Sequence, residues 1–489
     1  MTYRSIALIL PILTSILLAI VTATSRGRTL PRLLSLGTPI ALVIASLAAS
    51  DGKAIRLIGS IFYGDAMTSF MLAVTAIVSF LAIVSSWSFL DFEIRSDPVR
   101  ASKQRQYLSL LQIFLGAMSI AITSDNLGVI WVAVEATTIS TAFLVAHKGT
   151  AKALEAAWKY VIICSFGIAL AFFGTVLVYF SAIHAGISPS NALDIHYLVR
   201  GASRMHNDAT RLGLGLILLG YSAKVGLVPF HTWLADAHSQ APAPVSALMS
   251  GVLLSVAFTI ILRLERFSSL SVGPGLFQNG LLVMALASIL TAALLMVGQK
   301  DFKRLFAYSS IENMGVIAIA GSIGTRIALY ALLLQIFAHG VAKAIAFISA
   351  GIMQMHIGST DISDVIALTR RTPMIALTLS VAMLALLGFP PFAIFSSETS
   401  IAYSLGTSGE SVILVLVSLA LLIGFGSLAR HVGRMLFFEA ATTVSTISIS
   451  ITDSIPLVVG IGLSLYIGIV TSPISQLVSQ ATYTLGFAK

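Results

Sequence analysis

Apolar runs follow one another almost from end to end of this chain, separated by short polar breaks. Crossing a hydrocarbon core takes about 20 predominantly apolar residues in a helix, so each run reads as a candidate membrane span. The pattern predicts about fourteen, at 5–22, 34–50, 66–88, 108–123, 126–146, 156–183, 211–228, 243–262, 276–298, 304–322, 325–353, 373–403, 411–429 and 455–472. These runs are too long and too uniformly apolar for the alternating strands of a membrane barrel. The predicted fold class is therefore an all-α polytopic membrane protein. The first run has features of a secretory signal, with Arg4 before it and Thr22-Ala23-Thr24 near its end, but Arg26, Arg28 and Arg32 follow at once, as in a retained helix.

Composition narrows the picture further. Hydrophobic residues make up 57% of the 489 positions and charged residues 10%, well below the charge of a soluble surface and too apolar for a disordered chain. The net charge of +9 comes without a basic run or interleaved aromatics, so nucleic acid is not an expected partner. Sixteen Lys and Arg fall in loops after odd-numbered spans, against ten in the even loops and termini. By the positive-inside rule this predicts odd loops in the cytoplasm and both termini outside. The single cysteine, Cys164, cannot by itself hold an iron–sulfur cluster or a thiolate metal site. Any redox cofactor is expected on partner subunits, and no metal site or catalytic centre is expected in this chain.

Lys159, Lys224 and Lys343 are the basic residues that fall inside predicted spans, and Glu135, Glu312 and Glu398 are acids within them. A charge at mid-bilayer costs from about 2.5–3.5 kcal/mol to more than 10, depending on the scale, so such groups need pairing or water. Glu135 with Lys224, and Glu398 with Lys343, can be written as neutralising pairs. They serve either as staples between helices or as elements of a transport path. His339 lies four residues before Lys343 and shares its helical face; an imidazole beside a desolvated amine is suited to proton transfer. Lys159 and Glu312 sit nearer their span starts and read as boundary anchors or relay groups.

The seventh and twelfth runs are interrupted, the seventh at Pro229 with His231, Asp236 and His238 following, the twelfth at Pro390-Pro391 shortly before Glu398. Broken apolar segments at matching places in two halves point to inverted repeats built round a midplane pathway. The expected organisation is an N-terminal group of helices at 1–107, one repeat at 108–262, a second at 263–429, and a polar loop with a last helix at 430–489. His231 and His238 are too close in one interhelical stretch to favour a haem site.

The segments VEATTISTAFLV, EAAWKYVIICSFG, AKVGLVPFHTWLADAHSQAPAPVSALMSG, DFKRLFAYSSIENMG and GFPPFAIFSSE resemble the antiporter-like subunits of respiratory complex I, the Mrp cation/proton antiporters and the membrane-bound hydrogenases. The likeness is greatest to the hydrogenase-4 component F branch. It implies a fourteen-helix core with two inverted five-helix repeats and a proton relay. Carried onto this sequence, the relay acid of helix five is Glu135 and its lysine partner on helix seven is Lys224. The path then runs through His339 and Lys343 on helix eleven to Glu398 on broken helix twelve. Many relatives carry a Lys or His on helix eight, where this chain offers hydroxyls such as Ser246, Ser250 and Ser255. The central link would then fall to ordered water or to His231. The long C-terminal lateral helix of some relatives is not expected here, because the chain ends soon after its last predicted span, and residues 435–454 are Ser/Thr-rich and too polar to span.

The leading expectation is a proton-translocating subunit of a multisubunit redox-driven complex, in a bacterial or archaeal cytoplasmic membrane. Its partners would be other membrane subunits and a peripheral redox module carrying iron–sulfur clusters, with a nickel–iron centre as a further candidate. Its ions would be protons, with sodium as a second candidate. Two alternatives are a cation/proton antiporter subunit without redox coupling and a non-conducting structural arm.

Overall fold

The computed structural model describes residues 3–25, 27–59, 61–97, 103–438, 449–470 and 472–485. Arg26, Arg100 and Lys489, counted above among the loop and terminal charges, and residues 439–448 of the polar stretch lie outside the described residues. Eleven helices among the described residues are long and apolar enough to cross a membrane. The predicted runs at 211–228, 304–322 and 373–403 also fall on helices, Asp208–Val225, Phe302–Ile323 and the interrupted pair Pro373–Leu386 and Ala393–Thr407, which are outside that set of eleven. A small antiparallel hairpin pairs Ile55–Leu57 with Phe62–Gly64, in the register Ile55↔Gly64.

Helix starts follow local chemistry. The side chains of Asn126, Asn207, Asp301 and Thr325 accept the first free backbone N–H groups of Leu127–Val145, Asp208–Val225, Phe302–Ile323 and Arg326–Ile357. Asn126 also forms an isolated bridge to Asp194, and Asp301 forms one to Asp361. Both interruptions are present. Asp208–Val225 stops at Gly226, whose φ of +82° suits glycine, and the chain resumes as helix at Thr232 beyond Pro229. Pro373–Leu386 stops before Gly388, with φ +65°, and resumes at Ala393 beyond Pro390-Pro391. Proline supplies no N–H to continue the ladder, so carbonyls at both breaks are freed.

Ala243–Ser271 and Arg326–Ile357 form the centre, with their apolar windows 100% buried, whereas that of Ser411–Phe437 is only 28% buried. The two central helices meet backbone to backbone. A Cβ on Gly251 would lie 2.9 Å from the Gly340 carbonyl oxygen, and one on Gly340 would lie 2.8 Å from that of Gly251. Helix Ala243–Ser271 opens into a π-helical turn over Met249–Leu253 at this crossing. Small residues also bring Ala151–His184 onto Asp208–Val225, through Gly167 against Gly220 and Gly174 against Gly213.

Contacts between loops sort by parity. At one end Arg32 bonds Asp91, His147 bonds Glu93, Asp301 bridges Asp361 and Thr369 bonds the Leu436 carbonyl. At the other Arg4 bonds the Ala48 carbonyl, Asp125 takes its N–H bond to Ile61, and Arg263 bonds Asp65. Two of the predicted loop charges are not solvated. Lys303 is 0% exposed and donates to the Ala241 carbonyl at 2.7 Å. Arg263 holds buried Asp65 through two nitrogens, at 3.1 and 2.9 Å. Each satisfies a buried acceptor that would otherwise be costly.

Candidate functional site

Lys224 ends the last turn of Asp208–Val225 and is wholly buried. Its ammonium donates to Tyr160 OH at 2.6 Å and to Thr138 Oγ1 at 2.9 Å, and lies 4.8 Å from the Tyr160 ring centre. Tyr160 OH lies 2.6 Å from Thr141 Oγ1. Thr138 and Thr141 share one face of Leu127–Val145, a turn beyond Glu135.

The expected contact between Glu135 and Lys224 is not made. Glu135 accepts from Ser165 Oγ at 2.7 Å, and its other oxygen is buried without a hydrogen-bond partner. The carboxylate remains within Coulombic range of the ammonium. Hydroxyls thus take the first contacts of both charges.

The expected Glu398–Lys343 pair is also replaced. Lys343, wholly buried on Arg326–Ile357, donates to the Phe306 carbonyl at 2.8 Å and to Ser309 Oγ. The acid in its field is Glu312, which in turn feels Glu398. Glu312 sits halfway along Phe302–Ile323 and not at its boundary. Glu312 and Glu398 line one cavity of about 210 Å³ with Asn313, Leu386, Ser418 and Phe425. Asn313 accepts from Gln335 Nε2 at 2.9 Å, and Gln335 Oε1 accepts from Ser397, the neighbour of Glu398. Two glycines make room for the carboxylates: a Cβ on Gly424 would overlap Glu312, and one on Gly388 would overlap Glu398.

His231, one candidate for the central link, has a buried Nδ1 without a hydrogen-bond partner. It stands half-buried just before Thr232–Gln240. His238, near the other end of that helix, is wholly buried and feels both Lys303 and Lys343. Its ring stacks on Phe347 with centres 4.9 Å apart, while Trp233 on the same helix lies 4.8 Å from the Tyr160 ring. A helix-seven imidazole thus stands at the centre, where the helix-eight position holds hydroxyls. Of those, Ser246 bonds the His238 carbonyl at 3.2 Å and Ser250, in the π-helical turn, lies 2.7 Å from Ser310 Oγ, beside Ser309. Ser255 is buried without a partner. His339 is wholly buried, and both of its nitrogens lack partners.

Lys159 lies apart. Its ammonium meets Glu155 at 2.7 Å and Asp236 at 3.2 Å with its side chain 49% exposed, and Asp236 also meets Arg304. This is an anchoring cluster at the edge, and its charges are largely screened.

Glu135, Tyr221, Ser222, His238, Ser255, Glu312 and His339 each carry a buried polar atom without a hydrogen-bond partner. Leaving such an atom unsatisfied costs about 1–3 kcal/mol, and water relieves that cost. Sequence reasoning undervalued Glu312 and His238. The signal for the first was its central place in an apolar run; for the second, no local spacing in the sequence distinguished it from His231.

An all-helical membrane fold with two interrupted helices and a row of buried acids, amines and imidazoles defines an antiporter-like membrane subunit. The chain belongs to the family NADH:quinone oxidoreductase/Mrp antiporter, TM, which its residues 124–454 match. It is 36% identical over 386 residues to the hydrogenase-4 component F homolog of Methylacidiphilum infernorum, covering 78% of this chain and 80% of that one. It is 29% identical to NADH-quinone oxidoreductase subunit N 2 of Aquifex aeolicus, over 87% and 85% of the two chains. The fold is shared with a chain of the membrane-bound sulfane sulfur reductase, an archaeal respiratory membrane complex, with a TM-score of 0.87, 23% identity and coverage of 99% and 97%.

Proposed function

We propose that this chain translocates protons across the cytoplasmic membrane as a subunit of a redox-driven complex, through a path from Glu135 and Lys224, past His238, to Lys343, His339, Glu312 and Glu398. The observation that carries this reading is the burial of Lys224, His238, His339 and Lys343, each 0% exposed, in one fold with unpartnered polar atoms beside them. A stapling role calls for paired charges, whereas these groups are held by hydroxyls and carbonyls or left without a partner. The naming of relatives as hydrogenase-4 and NADH-quinone oxidoreductase components supports redox coupling. Iron–sulfur clusters, and a nickel–iron centre in the hydrogenase case, are assigned to partner subunits.

Two inverted repeats, 108–262 and 263–429, account for the matched breaks at Gly226–His231 and Leu387–Phe392. They also account for the matched bridges Asn126↔Asp194 and Asp301↔Asp361, which lie in even and odd loops respectively. With odd loops cytoplasmic, both termini are outside.

Glu135 is the switch in this mechanism. Its approach to Lys224 favours the charged ammonium, and its return to Ser165 favours release of the proton toward the centre. An opposite charge arriving within about 4–6 Å changes the protonation balance by roughly 1.4–4 kcal/mol, enough to direct a transfer. His238, Lys343 and Glu312 then accept and pass the proton in turn, each step breaking one N–H or O–H bond and forming another.

The test uses inverted vesicles of the producing cells, energised in parallel with hydrogen, formate and NADH, with proton uptake read by quenching of an acridine dye. Lys224→Ala should abolish uptake while the complex stays assembled. Full uptake by an assembled Lys224→Ala complex would refute the path.

A further inference from the structure

A second buried acid–base pair lies outside this row. Glu93, near the end of Ala66–Ser96, and His147 meet at 2.8 Å with side chains 7% and 5% exposed. The His147 ring is held between Phe89 and Tyr107, at 6.1 and 5.2 Å, and Tyr107 OH is fixed 2.9 Å from Ser86 Oγ. Glu93 lines a cavity of about 280 Å³ together with Ser85, Lys148, Pro242, Ile348 and Gln354. Ser96, Thr150 and Gly358 also line it, which places the cavity toward the end of the molecule that carries the odd loops.

Two residues of its lining adjoin, along the chain, residues that touch the central groups. Pro242 follows Ala241, whose carbonyl receives the buried Lys303 ammonium, and Ile348 follows Phe347, whose ring covers His238. Lys148, at the wall, acts electrostatically on Lys303, and Lys303 acts on His238. A cavity of this size holds several water molecules, and a water needs only two to four polar partners, which Glu93, Lys148, Ser85 and Gln354 supply.

We propose that this cavity is the cytoplasmic intake port of the proton path, with Glu93 and His147 as its collecting pair and Lys303 and His238 as the groups it feeds. The proton arrives from bulk water, is held on the Glu93 carboxylate or the His147 imidazole, returns to cavity water, and crosses past Pro242 and Ile348 through admitted water to the His238 imidazole, each transfer breaking one O–H or N–H bond as the next forms. The port thus joins the path at its centre, between Lys224 and Lys343, and not at either end. This assignment rests on reading the row as a proton path.

The closing experiment separates the two claims. Cys164 is buried, so Ser85→Cys and, as a second site, Gln354→Cys can be treated with a membrane-impermeant quaternary-ammonium methanethiosulfonate on inverted and right-side-out vesicles holding the whole complex. Labelling of either site from the odd-loop face only is expected, and the attached cation should cut proton uptake at least about tenfold relative to the same variant before treatment. Absence of labelling at both sites, labelling from the opposite face, or labelling without loss of uptake each overturns the port. Labelling with blocked uptake while Lys224→Ala still pumps would keep the port and sink the path as drawn. Glu93→Gln should slow uptake, and Glu93→Asp should restore part of it; equal loss in both, with normal labelling, would overturn the collecting role.

Discussion

The carboxylate of Glu312 rests against the bare Cα of Gly424, and no other residue type at 424 leaves it that space. An acid buried at the middle of Phe302–Ile323 is thereby placed by a glycine on a different helix, Ser411–Phe437. Gly424→Ala should displace Glu312 from the cavity it shares with Glu398 and lower proton uptake several-fold. Helix propensity alone favours alanine by about 1 kcal/mol, so the helix itself should not weaken. Gly426→Ala, where a Cβ meets nothing within 4 Å, serves as the control, and equal uptake in the two variants would show that Glu312 placement is immaterial.

Tyr160 is the nearest acceptor of the Lys224 ammonium. Tyr160→Phe leaves the ring beneath the charge and removes only the hydroxyl, a charge-assisted bond of roughly 1.5–3 kcal/mol. Uptake should fall by about tenfold or more, with little change in assembly, as judged by native gel electrophoresis. Wild-type rates in this variant would remove the hydroxyl from the path.

His238 and His231 give opposite expectations from one short helix. His238→Phe should stop uptake, because the imidazole between Lys303 and Lys343 is lost while the stack on Phe347 is kept. His231→Gln, at the half-buried start of the helix, should retain most of the wild-type rate. The reverse ranking would return the central link to His231.

Glu398→Gln keeps the shape of the side chain beside Gly388 and removes its charge. Blocked uptake with intact assembly is expected, measured in the same vesicles. Unchanged uptake would end the path at Glu312.

Asp125 lies in the break between two spans and is bonded by His196. Burial pushes its carboxyl up, against the hydrogen bond from His196 and the field of Arg263. A carboxyl raised in the folded state contributes stability below its unfolded value, near about 3.9, and that contribution is lost as pH climbs through the folded value. Asp125→Asn should therefore gain in Tm relative to the wild type as pH rises above about 4. A Tm difference that stays constant across that range would assign the burial cost elsewhere.

Membrane class, helical content and both interruptions were legible in the sequence because they depend on local rules: run length, proline, glycine and cap residues. Glu135, Lys224, His339, Lys343 and Glu398 were legible as charges in apolar runs. Their partners were not, because hydroxyls such as Thr138, Ser165 and Ser309 are ordinary in membrane helices and acquire meaning only through packing. Lys303 was hidden for a related reason. It lies in a polar break, and only the fold shows that the break is turned inward to the Ala241 carbonyl. His238 and His231 share a segment and, seven residues apart, a helical face, so only the fold shows that His238 is buried and His231 half-buried.

At Gly251 and Gly340 the two central helices touch without side-chain spacers, beside a turn already wound wider than its neighbours. Contact this close leaves no room for a side chain between the two helices. Bulk added there would push the two helices apart beside His339 and one turn from Lys343.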